Sequence, residues 1–292
     1  MTVSKKSQVI RFLFDNHGVR GELAQIFDAN DRLLENHNYS KPVCLLMREL
    51  AILGVCITST LKLDGQIMLQ IHGGKGDRAV KNAILNINRD LTFYGSCQTV
   101  DNNIYDDEST FRDLIGSGGY LHLAIFPKNG QSFQGIVELE AQNLSEAFEK
   151  YFSTSDQLPT RFFIFNDTDS NASAGIMLQI IPDVEGNTDS LEHLSILSQT
   201  LSVKESIELD VNEILSRLFA HEQVRVFEPT EVDFKCICSK ERCLNSLATL
   251  SHAELEDIAA DENGIEMTCH HCNRSYHLDQ QSLKALLLTN SQ

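Results

Sequence analysis

Ser40-Lys41-Pro42-Val43-Cys44-Leu45-Leu46-Met47-Arg48-Glu49-Leu50-Ala51-Ile52-Leu53-Gly54-Val55-Cys56-Ile57 is the stretch on which the fold turns. Serine followed by proline near the first turn marks a helix start, because proline lacks the N–H that this turn leaves unpaired and its ring presets a helical φ. From there Val43, Leu46, Met47, Leu50, Leu53 and Ile57 recur at helical spacing, which predicts one long, largely buried helix. The apolar segment over residues 43–63 is the longest in the chain, but Arg48 and Glu49 interrupt it, which argues against a membrane span.

Outward from this helix, short runs rich in β-branched or aromatic residues and bounded by Gly, Pro or Asp predict strands at 66–71, 120–126, 134–139, 161–165 and 176–181. Residues 143–152 read as a short helix with Leu144, Ala147, Phe148 and Tyr151 on one side. The expectation is an α+β domain over 1–182, built on a mostly antiparallel sheet with helices. A polar run, Asp183-Val184-Glu185-Gly186-Asn187-Thr188-Asp189, then marks a boundary. Two amphipathic patterns follow, Leu191, Leu194, Leu197 and Leu201, then Val211, Ile214, Leu215, Leu218 and Phe219, the second opened by Asp210 and Glu213 as a capping arrangement. Helices so few and short need a neighbour for their apolar faces, so 183–231 is expected to be a helical linker. Residues 232–292 form a third piece, a small C-terminal metal-binding domain with a helical pattern at 247–259; it is too small to fold securely without a staple.

The chain has 292 residues, 42% hydrophobic and 22% charged, ordinary for a folded protein and long enough for two or three domains. Its formal net charge of −17 repels nucleic acid and anionic membrane surfaces, so neither is expected as a partner. The start, Met1-Thr2-Val3-Ser4-Lys5-Lys6-Ser7-Gln8, is basic, but neither a long uncharged apolar stretch nor a small-residue cleavage site follows it, and a soluble cytoplasmic location is expected.

Of eight cysteines, Cys44, Cys56 and Cys97 are scattered singly, whereas Cys236, Cys238, Cys243, Cys269 and Cys272 crowd one end. That distribution fits a reducing compartment, with isolated thiols as small core residues and the cluster holding metal. Cys236-Ile237-Cys238 and Cys269-His270-His271-Cys272 are two close pairs that can converge into a tetrahedral zinc site. Four sulfurs close every coordination position, which marks a structural rather than a hydrolytic metal. Cys-x-Cys is tighter than the usual knuckle, Lys235, Lys240, Arg242 and Arg274 favour thiolate nearby, and a Cys236–Cys238 disulfide would be constrained and reducible. The residues alone leave open an inert zinc ribbon and a redox-active centre. Cys243 reads as a bystander, and His270, His271 and His277 stay outside the site because four thiols already fill it.

Other motifs point away from catalysis. His72-Gly73-Gly74-Lys75-Gly76 lacks the spacing and the Ser/Thr of a phosphate loop and reads as a sheet-edge turn. The sequence carries no Gly-x-Ser-x-Gly elbow, His-Glu-x-x-His pair or dinucleotide fingerprint, so no enzyme is expected. The Cys269-x-x-Cys272 pair raises a thiol oxidoreductase as an alternative, without the βαβ context that chemistry uses.

Three groups of residues resemble the heat shock protein 33 family, the redox-regulated holdase chaperones also called 33 kDa chaperonins. They are Val19-Arg20-Gly21-Glu22-Leu23, then Tyr151-Phe152-Ser153-Thr154-Ser155-Asp156-Gln157-Leu158-Pro159-Thr160-Arg161 with Gly175-Ile176-Met177-Leu178-Gln179-Ile180-Ile181-Pro182, and finally residues 234–243 with 269–272. The resemblance covers essentially the whole chain. It implies an ATP-independent holdase that is inactive with one Zn2+ per chain when reduced, and active as a homodimer on unfolding client proteins after oxidation. It implies Cys236, Cys238, Cys269 and Cys272 as zinc ligands, and disulfides joining Cys236 with Cys238 and Cys269 with Cys272. A structural zinc protein with a constitutive binding role is the competing expectation.

Overall fold

The computed structural model describes residues 5–61, 64–100, 105–182 and 184–290. The first four residues of the basic start, Lys62 and Leu63 at the end of the apolar segment, and Asp183 in the polar run lie outside them. The chain divides into two compact units, Met1–Lys235 and Cys236–Gln292.

In chain order the first unit begins with β1 (Gln8–Phe14), β2 (Val19–Ile26), α1 (Asp28–Leu34), α2 (Lys41–Thr60), β3 (Gly65–His72), β4 (Asn82–Asn88), β5 (Thr92–Gln98) and α3 (Phe111–Ile115). It continues with β6 (Tyr120–Pro127), β7 (Phe133–Glu138), α4 (Leu144–Thr154), β8 (Thr160–Asn166) and β9 (Ser173–Ile180). Three helices follow, α5 (Asn187–Ser198), α6 (Val203–Glu208) and α7 (Val211–Leu218), and then short strands β10 (Val224–Val226), β11 (Thr230–Glu231) and β12 (Asp233–Phe234). The α+β class and the antiparallel pairing are as the sequence predicts, but the strands form two sheets. One runs β10-β1-β2-β9-β8 with β11 also on β1, the other β12-β5-β4-β3-β6-β7, and the β12–β5 pair is parallel.

The proline-started helix α2 packs on strands of both sheets. Its Val43, Leu46, Met47, Leu50, Leu53 and Ile57 are buried in one cluster with Leu69, Leu85, Ile87, Phe93, Leu123 and Met177. By length and composition α2 could cross a membrane, yet 72% of its apolar window is buried inside the protein. Gly54 lets it approach so closely: a Cβ there would lie 2.6 Å from Ile87 Cδ1. The charge that interrupts the apolar run is used internally. Arg48, 4% exposed, donates through Nη1 to the carbonyls of Asp167, Ser170 and Ala172 at 3.1, 2.8 and 3.3 Å, tying the β8–β9 turn to the helix.

Glu22, in the middle of β2, is 2% exposed, and its Oε2 has no hydrogen-bond partner among the described residues. Burial pushes its carboxyl up to about 8, against smaller opposing effects from the Ser59 hydroxyl, Arg11 and Arg20. Between its ordinary value of 4.5 and about 8, the unfolded chain has released a proton that the folded chain keeps, so stability falls as pH rises through that window. Glu22→Gln removes the cost and is expected to stabilise the first unit by about 3 kcal/mol at pH 7 and by little at pH 4.5. Urea unfolding at the two pH values checks this, and an equal shift at both would refute it.

The other face of the first sheet carries Ile10, Phe12, Phe14, Val19, Leu23, Ile176, Leu178 and Ile180. Onto it pack Leu191 and Leu194 from α5, Val211, Ile214 and Leu215 from α7, and Phe219, whose ring meets Phe14 edge-on at 4.9 Å. This is the neighbour that the amphipathic patterns require. Gln25 of β2 fixes α6 from below, donating through Nε2 to the carbonyls of Ser206 and Leu209 at 2.7 and 2.9 Å. Asp210 caps α7 by accepting from the Asn212 N–H; the reciprocal capping box sits instead on α6, between Ser202 and Glu205.

The second unit holds α8 (Lys240–Leu247), α9 (His252–Ala259), a hairpin of β13 (Ile265–Thr268) and β14 (Ser275–Leu278), and α10 (Gln280–Asn290). The pattern at 247–259 is thus not one helix: Ser251 starts a new one, with its hydroxyl accepting from the Glu254 N–H in a capping box. Among the described residues the buried core here is Leu247, Leu255, Ala259, Leu278 and Leu283. So few apolar side chains leave the fold short of hydrophobic support.

Candidate metal centre

Cys236 and Cys238 lie in the irregular segment just before α8, whose N-cap Ser239 accepts from the Arg242 N–H. Cys269 and Cys272 lie in the turn of the β13–β14 hairpin. That turn is tightened by hydrogen bonds from the Asn273 N–H to the Cys269 carbonyl (2.8 Å) and from the Cys269 N–H to the Arg274 carbonyl (3.0 Å). Asn273 takes φ 50°, a left-handed conformation that asparagine tolerates better than most residues.

The fold brings all four predicted thiols together. Their sulfurs lie within 4.8 Å of one another, with Cys236 3.6 Å from Cys269 and Cys238 3.4 Å from Cys272. Zinc–sulfur bonds of about 2.3 Å in a tetrahedron place sulfurs about 3.8 Å apart, so this donor set fits one such ion. Both of these contacts join sulfurs of different sequence pairs, so a single bound ion would tie the segment before α8 to the hairpin. Cys272 is buried and the other three are half-buried.

Burial pushes the Cys236 thiol far up, although the Cys238 N–H opposes it. Burial acts on Cys238 too, but hydrogen bonds from Tyr276 and from the neighbouring thiols outweigh it and hold that thiol below its ordinary range. The Tyr276 hydroxyl lies 3.1 Å from both the sulfur and the carbonyl oxygen of Cys238. Tyr276 is the residue that spacing arguments missed; the one signal for it is its place on β14 two residues before the buried Leu278, on the same strand face.

The flanking cations divide. The Tyr276 hydroxyl first, and then negative charge on Cys238 and Cys272, push the ionisation of the Arg274 guanidinium up, which places that cation beside the thiols. Lys240 instead pairs with Asp279 at 3.0 Å. Cys243 lies outside the four-thiol group, half-buried on α8 against the small core, and neither His270 nor His271 belongs to that group.

The family model for Hsp33 protein matches residues 7–279. Proteins named 33 kDa chaperonin from Yersinia pestis (strain Pestoides F) and Yersinia pseudotuberculosis (serotype O:1b, strain IP 31758) are 36% identical over 291 residues, covering 99% of this chain and 98% of each relative. The solved structure of a 33 kDa chaperonin, heat shock protein 33 homolog, from Thermotoga maritima matches with a TM-score of 0.82 at 24% identity. The match covers 97% of this chain and 99% of that one and bears on the fold alone. With a family model and close relatives spanning nearly its whole length, this chain belongs to the Hsp33 family of chaperones.

Proposed function

We propose that the chain is a redox-regulated, ATP-independent holdase that keeps thermally unfolding and oxidatively damaged proteins from aggregating, acts in the cytoplasm and is not an enzyme. The observation that carries this reading is the convergence of Cys236, Cys238, Cys269 and Cys272 in a unit with a very small core. A bound zinc would hold the four thiolates and supply the folding energy that this core lacks. Oxidation joins Cys236 with Cys238 and Cys269 with Cys272. Each pair of thiolates gives up two electrons to one molecule of hydrogen peroxide, two protons are taken up, and two waters leave. Sulfurs held in disulfides no longer serve as metal ligands, so the ion is released and the unit loses its staple.

In this reading the three-part division at 1–182, 183–231 and 232–292 is functional: the middle part is the cover that opens. The surface offered to clients is the apolar face of α5 and α7 with the sheet face beneath, and the opened form pairs into a homodimer. The net charge of −17 supports solubility of that form and disfavours nucleic acid or anionic membranes as partners. Light scattering from a heat-unfolding client tests the proposal. Reduced, zinc-loaded protein is expected to leave aggregation unchanged, and protein treated with peroxide at a temperature that promotes its unfolding is expected to suppress it. Equal behaviour of the two states would overturn the switch.

A further inference from the structure

A second group of metal-ligating side chains lies in the first unit, far from the cysteines in sequence. His17 occupies the β1–β2 turn, His193 projects from α5, and Glu222 lies in the turn between α7 and β10. His17 Nε2 is 2.8 Å from Glu222 Oε2, and His193 Nε2 is 2.8 Å from Glu222 Oε1, so each imidazole meets a different oxygen of one carboxylate. Asn16 Nδ2 also donates to Oε2, at 3.2 Å. Glu222 is 10% exposed, His17 18% and His193 51%, so the group opens to solvent on the His193 side.

Two imidazoles and a carboxylate are the ligand set of an open, three-residue zinc site, whose fourth position is left to water. The same set suits nickel and cobalt, which share a preference for imidazole nitrogen. Metal-ligating histidines characteristically place their second ring nitrogen on a fixed partner, and His17 does so: its Nδ1 is 2.9 Å from the Ser190 hydroxyl, one turn before His193 on α5. A hydroxyl can serve both states of the group. Without metal, Ser190 donates to Nδ1 and His17 gives its Nε2–H to Glu222. With metal, Ser190 accepts from Nδ1–H, and the Nε2 lone pair is free to bind.

We propose that His17, His193 and Glu222 form a second divalent transition-metal site that clamps α5 and the turn after α7 to the β1–β2 turn. Its three ligands come from segments separated by 173 or more residues and by 29 residues, since Ser190 is 173 residues from His17 and His193 is 29 from Glu222. A bound ion would therefore hold both ends of the helical layer on the sheet. This inference stands apart from the redox reading, because it uses none of the cysteines.

The test is equilibrium dialysis of the tag-free, reduced, full-length chain against micromolar free Zn2+ at pH 7.5, with metal counted per chain, on wild type, His193→Gln and Glu222→Gln. Wild type is expected to hold one zinc more than His193→Gln, and the extra ion is expected to raise the melting temperature of wild type only. Half-exposed His193 leaves the fold intact when replaced, so its variant decides the matter even if Glu222→Gln folds poorly. Ser190→Ala is expected to weaken the extra site about tenfold or more, as loss of such a supporting hydrogen bond does elsewhere. Equal metal content in wild type and His193→Gln would overturn the proposal and leave the group a hydrogen-bonded clamp only.

Discussion

The variant Cys272→Ser is expected to lose the zinc of the four-thiol site and to leave the second unit unfolded while the two sheets and α2 of the first stay folded. Structural zinc contributes on the order of 10–16 kcal/mol in small domains, whereas whole domains are stable by about 5–15 kcal/mol, so nearly all of this unit's stability would rest on the metal. The five core residues buried among its described residues cannot substitute for that contribution. Serine offers a hydroxyl where zinc selects thiolate, and Cys272 is the one buried residue of the four, so water cannot readily take its place. Hydrogen exchange followed by mass spectrometry reads the outcome: amides of α8, α9 and α10 lose protection, and those of α2 do not. Cys243→Ser provides the control, since that thiol lies outside the group and is expected to leave both zinc content and protection unchanged. Zinc content equal to that of wild type, with retained protection, in Cys272→Ser would remove this sulfur from the site.

The second large effect is expected in the helical layer. Ile214 of α7 is 0% exposed and sits among Ile10, Phe12, Leu191, Leu215 and Phe219. Ile214→Asp places an unpartnered carboxylate in that cluster, which costs several kcal/mol and lifts α7 from the sheet. If the covered face is the client surface, the reduced protein then suppresses aggregation without any oxidant. The milder Ile214→Ala, expected to cost about 2–5 kcal/mol, gives a graded check that the sheet itself survives. Light scattering together with hydrogen exchange over 187–218 decides: exposed helices with no gain in suppression would show that clients bind elsewhere.

Where local sequence and final environment agree, the fold was legible. Helix α2 announced itself through its proline start and apolar spacing, and strands β3, β6, β7, β8 and β9 lie within a few residues of their predicted places. Strands β1, β2, β4 and β5 were missed, and two of them show why. In β2, Gly21 and Glu22 look like interruptions; yet a Cβ at Gly21 would lie 2.1 Å from the Phe12 ring, and Glu22 is buried at a cost met by the rest of the fold. In β5, Gly95 is there because a side chain would strike the Ile84 carbonyl oxygen at 2.3 Å. These are tertiary demands that no period-two pattern displays. The four thiols were legible because metal ligands need particular residue types at short spacing. Tyr276 and the His17, His193 and Glu222 group were not, because their partners arrive only when distant segments meet.

The layer formed by α5 and α7 is tied to the sheet covalently at both ends, through β9 before it and through β10, which pairs with β1, after it. A cover leashed in this way is an intramolecular competitor for any client of the same surface. Its effective concentration is on the order of millimolar, as for short flexible tethers. A client with micromolar affinity gains the surface only while the layer's own hold is weakened, and yields it once that hold returns. Client release would then follow from local refolding alone, a competition between tethered and free ligands that requires no nucleotide.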